Sequence, residues 1–442
     1  MKKKVSSKRW KWMIFLLAIC IVLLGVLLKF NIDRIVVYKA YLDNGIPRIN
    51  INLEGVSLDE IKEGSKETKY EGNELELYNE GRVAEFDGVE VKGRGNSTWK
   101  HKKKPYQIKF TSKVDLFGLG EAKKWVLLAN YLDHSFLRND IAFTLAEMLE
   151  IKYNYRGKFI ELYFNDEYEG LYYLVPKIDI AKGSVNLKEE DGVLFELDNS
   201  YGDEEEYYES YSGNYLLLKD LVSEDEENKE KVVNEFLEDF NKLEMLAERG
   251  EYEGILDIID IESFAEYYLV NEFTVNPDAY SSSFYLYRDG AGDKIHAGPV
   301  WDFDLALANR VWGWEVDERY YSSDENMIRK REAFGEDGLM ENKFISKLFY
   351  HLMDFPEFNE EVRRVYREKL RGRKEELLKE IQDRNGEIQK AILKDNEKWG
   401  IQDSGEEFNY LFNWVKARYE YFEQEYGNII EEFNDQRRFQ FL

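Results

Sequence analysis

The sequence predicts an α+β chain. Short strand-like runs bounded by Gly, Asn and Asp crowd its first half, and apolar residues at helical spacing dominate beyond about residue 340. Strands and helices do not alternate regularly, which argues against a parallel α/β sheet. With 442 residues, 43% hydrophobic and 15% aromatic, and only 6 prolines, the chain is long and apolar enough to pack a large ordered core.

In chain order, "MKKKVSSKRWK" carries six Lys and Arg and no acid, and "WMIFLLAICIVLLGVLL" follows as 17 uncharged, almost wholly apolar residues. That run reads as one membrane-spanning helix with its basic flank in the cytoplasm. The remainder is therefore expected outside the cell membrane, anchored by a single pass. No small-x-small pattern ends the run, which argues against a cleaved signal peptide, and Ile19 before Cys20 fits a lipoprotein processing site badly.

Residues 1–30 are thus assigned to a basic tail and anchor, and 31–86 to a β-rich segment containing "RININ" and "ELELYN". Next, "GVEVKG" and "YQIKF" are strands joined by a basic, Gly-rich loop. "HSFLRNDIAFTLAEML" is a helix with Ser135 as its N-cap, and "KFIELYFNDEYEGLYYLV" is a hairpin turning within "NDEYEG". "DGVLFELDN" is a strand, residues from about 229 to 271 are helical, and "SSFYLYRDGAGDKIHAGPVWDFD" is a hairpin turning at "DGAGD". The acidic runs "GDEEEYYES" and "SEDEENKE" read as solvated loops and a helix start. Residues 87–340 are assigned to one domain. Residues 341–442 form a helical C-terminal extension packed on it, broken near Pro356 and "KWGIQDSG".

Charge and cysteine content exclude several classes. A formal net charge of -27 argues against sequence-independent nucleic-acid binding. The only cysteine is Cys20, so neither an intramolecular disulfide nor a cysteine-based zinc site can form.

Three stretches carry chemistry. "KGRGNSTWKHKKKPYQIKF", residues 92–110, holds seven Lys and Arg and no acid. Gly93 and Gly95 bracket Arg94, and Asn96, Ser97 and Thr98 follow, a pattern that suits a polyphosphate without being a P-loop. A tight turn with an exposed basic strand explains the same letters. Lys109, flanked by apolar residues in a strand, needs an anion. In "NEFTVNPDAYSSSFYLY", Asp278 follows a helix and precedes a strand, in a connection suited to catalysis. In "GPVWDFDLALAN", Asp302 ends an apolar strand and reads as a metal ligand, while Asp304 is either a second ligand or a helix N-cap.

Order and spacing join these signals. A glycine loop, a strand lysine, a helix, an aspartate and a second aspartate in "DFD" follow one another as in protein kinases. The H-R-D and D-F-G strings are missing, and Ser283, a poorer ligand, stands where kinases carry a metal-binding Asn.

The strings "KGRGNSTW", "KKPYQIKF", "KKWVLLANYLDHSFLRNDIAFTLA", "FIELYFNDEYEGLYYLVPKIDI" and "GPVWDFDLAL" closely resemble the spore-coat protein H (CotH) kinase family from about residue 90 to 310. The resemblance implies a divergent protein-kinase-like two-lobed fold. It also implies an enzyme that binds ATP with Mg²⁺ or Mn²⁺ and phosphorylates Ser or Thr of a protein or of itself. On that reading Asp278 matches the catalytic aspartate and Asp302 the metal-binding one, with Asp304 and Ser283 beside it. Arg94, Asn96, Ser97 and Lys109 then face the phosphates, Glu147 is a candidate partner for Lys109, and Asp133 and His134 are either structural or functional. The acidic chain suits a basic, Ser-rich acceptor.

Two rivals remain. One is a surface-anchored binding or scaffold protein on an inactive kinase-like fold, favoured by Ser283 and by the scarcity of ATP outside cells. The other is a carbohydrate-active enzyme with paired carboxylates, which has no use for the basic loop.

Overall fold

The computed structural model describes residues 45–154, 156–199, 207–276, 278–309, 323–324 and 346–427, together with Ile19, Val22, Leu24 and Gly25. Seven strands close into a barrel in the order β1 (Arg48–Asn52), β2 (Tyr70–Asn79), β3 (Arg82–Gly93), β4 (Tyr106–Asp115), β5 (Glu121–Leu128), β7 (Glu167–Pro176) and β6 (Lys158–Phe164). Neighbours are antiparallel except at the closure, where β1 runs parallel to β6 with Ile49 opposite Leu162 and Ile51 opposite Phe164.

Period-two alternation decides what fills the barrel. Ile49, Ile51, Val91, Ile108, Trp125, Leu127, Ile160, Leu162 and Tyr172 point inward and are closed to solvent. Val126, Phe159, Leu171, Tyr173 and Val175 point outward from β5, β6 and β7 and join a second, larger core. These three strands are thus buried on both faces, which is why "KFIELYF" and "GLYYLVP" read as nearly continuous apolar runs. The hairpin between β6 and β7 turns on Asn165 and Asp166, both left-handed at φ 49 and 65, as a two-residue type I′ turn requires.

A separate five-stranded antiparallel sheet runs in the order β12 (His296–Ala297), β11 (Phe284–Arg288), β8 (Val193–Leu197), β10 (Tyr215–Leu221) and β9 (Tyr208–Glu209). The helices are α1 (Leu58–Glu63), α2 (Arg138–Met148), α3 (Glu226–Arg249), α4 (Ile255–Ile258), α5 (Ile261–Thr274), α6 (Leu348–Leu352), α7 (Pro356–Val365), α8 (Lys374–Trp399) and α9 (Ser404–Glu425). α2 buries ten of its eleven residues, and its apolar ones belong to the second core. It begins at Arg138, and the expected capping role of Ser135 passes to Asp133, whose carboxylate accepts from Ser135 N (3.0 Å) and Arg138 N (2.9 Å). α8 and α9 bind the molecule together through Lys394–Glu161 (2.9 Å), Arg384–Asp140 (3.2 Å) and a fully buried Arg418–Glu272 pair (2.8 Å).

The quoted strands and helices form largely where the patterns put them, but the architecture differs from the expected two-lobed, kinase-like arrangement. β1 bonds to both β2 and β6, so the strands close on themselves rather than forming an open sheet. Alternation alone is the same for open and closed sheets, so the sequence held no sign of closure. β3 runs across residue 86, and the β-rich segment shares one barrel with the chain that follows. The membrane helix expected in front of the fold falls almost wholly outside the described residues, and among those described no helix is long and apolar enough to cross a membrane.

Candidate functional site

A cleft of about 690 Å³ is lined by the basic loop after β3, the chain after β5 and β7, strand β8, and the loops carrying Asp278 and Asp302. Arg94, Asn96, Ser97, Asp278, Ser283, Asp302 and Asp304 all line it, although they span more than two hundred positions of sequence.

The "DFD" loop is held from several sides. Asp302 has left-handed backbone, φ 66, which is costly for a residue with a side chain and persists only where the surroundings enforce it. Its carbonyl accepts from Asn276 Nδ2 (3.1 Å), and Phe303 N donates to Asn139 Oδ1 (3.0 Å). Asn309 Nδ2 donates to the carbonyl of Asp304 (2.6 Å), and Arg138 Nε to that of Ala306 (3.0 Å). Residues 304–308 form turns and no helix, so Asp304 does not act as the N-cap its position suggested.

Asp302 and Asp304 are half-buried, and their carboxyls share a hydrogen bond. Removal from water raises the pKa of both. Asp304 goes up furthest, because the charges of Asp302, Asp278 and Asp133 add to its burial, whereas Arg94 pulls Asp302 back down. Two close carboxyls of this kind hold a proton between them until a cation takes its place. Among the described residues no three Asp, Glu, His or Cys side chains converge to hold a metal unaided. A pair of carboxylates is nevertheless what Mg²⁺ ordinarily takes from a protein, the rest of its shell being water and phosphate oxygen.

Asp278 sits in a turn whose carbonyl accepts from Ser281 Oγ (2.8 Å) and from the N–H groups of Ser281 and Ser282 (both 3.1 Å). Asn276 also accepts from Asp278 N (3.2 Å), so one amide side chain ties the loops carrying the two aspartates. Ser283, left-handed at φ 54, follows the turn into β11.

On the basic loop, the Arg94 guanidinium lies 5.3 Å from the Trp301 ring centre, and its Nη1 is buried without a hydrogen-bond partner. The glycines serve the loop's own packing rather than an anion's approach. A Cβ on Gly93 would meet the Trp99 ring at 2.5 Å, and one on Gly95, φ +82, would meet Thr98 Oγ1 at 2.0 Å.

Lys109 is not among the residues lining the cleft. It sits across from Glu90 on β3, 3.7 Å from its carboxylate, and that acid supplies the anion its strand position demanded. Glu147 does not reach it and pairs instead with Arg156 (3.4 Å). Asp133 and His134 turn to other parts of the fold: Asp133 to a buried pair with Arg138 (2.5 Å), His134 Nδ1 to Asp403 just ahead of α9 (2.5 Å).

Of the lysines that line the cleft, Lys66, Lys92, Lys103 and Lys219 each bond to a neighbouring side chain, and the remaining one is Lys177, directly after β7. No acid lies within ion-pair distance of it among the described residues. Burial first, and then the charges of Lys124, Lys219 and Arg94, push its pKa down to about 8 against the opposing pull of Asp179. Glu196 and Asp198 on and after β8 also line the cleft, with Glu196 paired to Lys219 (2.8 Å). "VPKIDI" and "LFELDN" carried the signal that drew attention to Lys109, a charge set among apolar residues.

Residues 91–422 match the family model described as CotH kinase protein, so the match begins on β3 and runs through the C-terminal helices to α9. No curated protein matches the chain. Because the family model covers well over half of the sequence, including every residue of the cleft except Lys66 and Glu67, the chain belongs to the CotH kinase family.

Proposed function

We propose that the chain is an ATP- and divalent-metal-dependent protein kinase that transfers the γ-phosphoryl group to a Ser or Thr hydroxyl of a protein, or of itself. The observation that carries this reading is a single cleft in which a hydrogen-bonded carboxyl pair and Asp278 occur together with Arg94, whose Nη1 has no hydrogen-bond partner among the described residues, and Lys177, which has no acid within ion-pair distance among them. Family membership supports the same reading.

Asp302 and Asp304 are the carboxylates suited to Mg²⁺ or Mn²⁺, with the Ser283 hydroxyl as a further oxygen. When bound, the metal neutralises charge on the donor's phosphates. Among the described residues, Arg94 offers an N–H without a protein acceptor and Lys177 an ammonium with no acid within ion-pair distance, so both fit phosphate oxygens. Asn96 and Ser97 add donors from the same loop. Asp278 accepts the hydrogen bond of the acceptor hydroxyl and takes its proton as the new O–P bond forms and the bond to the leaving ADP breaks.

The net charge of -27 favours a basic, Ser-rich acceptor. Action at the outer face of the cell membrane rests on the basic and apolar N-terminal stretch of the sequence. Incubating the full chain with γ-labelled ATP, Mg²⁺ and a Ser-rich basic protein tests the reading. Label on the acceptor or on the chain is the expected result. Bound nucleotide with no transferred label would favour the scaffold alternative.

A further inference from the structure

The cleft has a rim built from chain that lies ahead of the family match. α1 ends at Glu63, and the segment after it brings Lys66 and Glu67 to the cleft beside Lys92 and Asn96. Two contacts pin it there. Lys66 Nζ lies 2.6 Å from Asn96 Oδ1, and Lys92 Nζ 3.0 Å from a Glu67 carboxylate oxygen. α1 is itself fixed by a capping box between Ser57 and Glu60 and by Ile61, which is buried in the barrel core. Gly93 makes the approach possible, since a Cβ there would meet Lys66 Cα at 2.9 Å.

The chemistry of this contact fixes an orientation. An ammonium donates and never accepts, so Asn96 must give Lys66 its carbonyl oxygen, which leaves the amide N–H groups free for another acceptor. With Lys66 removed, nothing in this contact prevents the amide from turning its oxygen toward a phosphate, where it would repel. We propose that Lys66 is a positioning residue: it holds Asn96 with its N–H donors available to a bound polyphosphate chain, and it adds its own positive charge at that end of the cleft. The inference rests on the kinase reading above and extends the site into a part of the chain outside the family's domain.

Calorimetric titration of the full chain with inorganic tripolyphosphate, and separately with ATP and Mg²⁺, tests it. Lys66→Ala and Asn96→Ala are each expected to weaken both probes about tenfold, as loss of a charge-assisted hydrogen bond does. The double variant is expected to be little weaker than Lys66→Ala alone, because the amide is already misdirected once Lys66 is gone, and Lys66→Arg is expected to restore most of the binding. Lys66→Ala within twofold of the parent, or fully additive losses in the double variant, would overturn the proposal. A parent protein that bound neither probe would instead overturn the kinase reading on which it stands.

Discussion

Lys103 Nζ lies 2.7 Å from Asp395 Oδ1, with both side chains closed to solvent. Lys103 belongs to the basic loop and Asp395 to α8, so the pair fastens one wall of the cleft to the C-terminal helices. Both groups also bond to the backbone of Leu171: Lys103 donates to its carbonyl and Asp395 accepts from its N–H, each at 2.6 Å. Gly170, φ +146, leaves the space, since a Cβ there would come within 2.5 Å of Asp395 Oδ1. Burial lowers the pKa of Lys103 and raises that of Asp395, and the attraction between them opposes both shifts.

Removing one member therefore strands a buried charge. Asp395→Ala is expected to cost about 3–5 kcal/mol of stability in urea unfolding. The double variant Lys103→Met, Asp395→Leu is expected to regain only part of it, because an apolar pair removes the stranded charge but leaves the Leu171 N–H and carbonyl without these partners. A single variant costing under about 1 kcal/mol, the scale of an exposed pair, would contradict this account.

Lys177 and Lys109 are expected to separate by role. Lys177→Met is expected to weaken ATP and Mg²⁺ binding by about 10- to 100-fold, the scale of one charged hydrogen bond. Lys109→Met, which removes only a partly exposed pair with Glu90, is expected to change binding by no more than about twofold. Michaelis constants for ATP measure both, and the reverse ranking would return the phosphate role to Lys109.

Proton uptake is a further signature. Burial and neighbouring cations push the pKa of Lys177 down to about 8, and the negative charge of a bound triphosphate is expected to raise it. Binding at pH 8 therefore takes up a fraction of a proton, and affinity falls as pH rises through 8. Titration calorimetry in two buffers of different ionisation enthalpy reads the uptake, and Lys177→Met is expected to abolish it.

Metal binding carries the opposite sign. The carboxyls of Asp302 and Asp304 have raised pKa values and share a proton, which the cation must displace. Mg²⁺ affinity is expected to increase with pH until the pair is fully ionised, and Asp304→Asn to flatten that dependence. A pH-independent affinity in the parent protein would argue against ligation by this pair.

The sequence disclosed the local elements better than their assembly. The hairpin in "KFIELYFNDEYEGLYYLV" was legible because Asn and Asp at its tip accept the left-handed backbone the turn needs. Closure of the barrel was not, because the pairing of β1 with β6 joins residues more than a hundred positions apart and leaves no local mark. That Asp278 and Asp302 line one cleft agrees with the order and spacing that joined them in sequence. Lys177 was passed over although "VPKIDI" sets it among apolar residues as "YQIKF" sets Lys109, because which of the two lysines meets an acid depends on neighbours brought together only in space. Lys109 drew the assignment through a correct local argument, the need for an anion, which Glu90 on the next strand satisfies.

The most direct test of the central claim compares phosphoryl transfer by the full chain with that of Asp278→Asn and Asp302→Asn. Transfer from γ-labelled ATP to a basic, Ser-rich protein is expected to require Mg²⁺ or Mn²⁺. It is expected to fall by about 10²- to 10⁴-fold in Asp278→Asn, the range for loss of a positioned general base. Asp302→Asn is expected to lose transfer together with its metal dependence, both variants keeping the parent's thermal unfolding profile within a few degrees. Transfer that survives both substitutions in folded protein would place the chemistry outside this cleft and contradict the account.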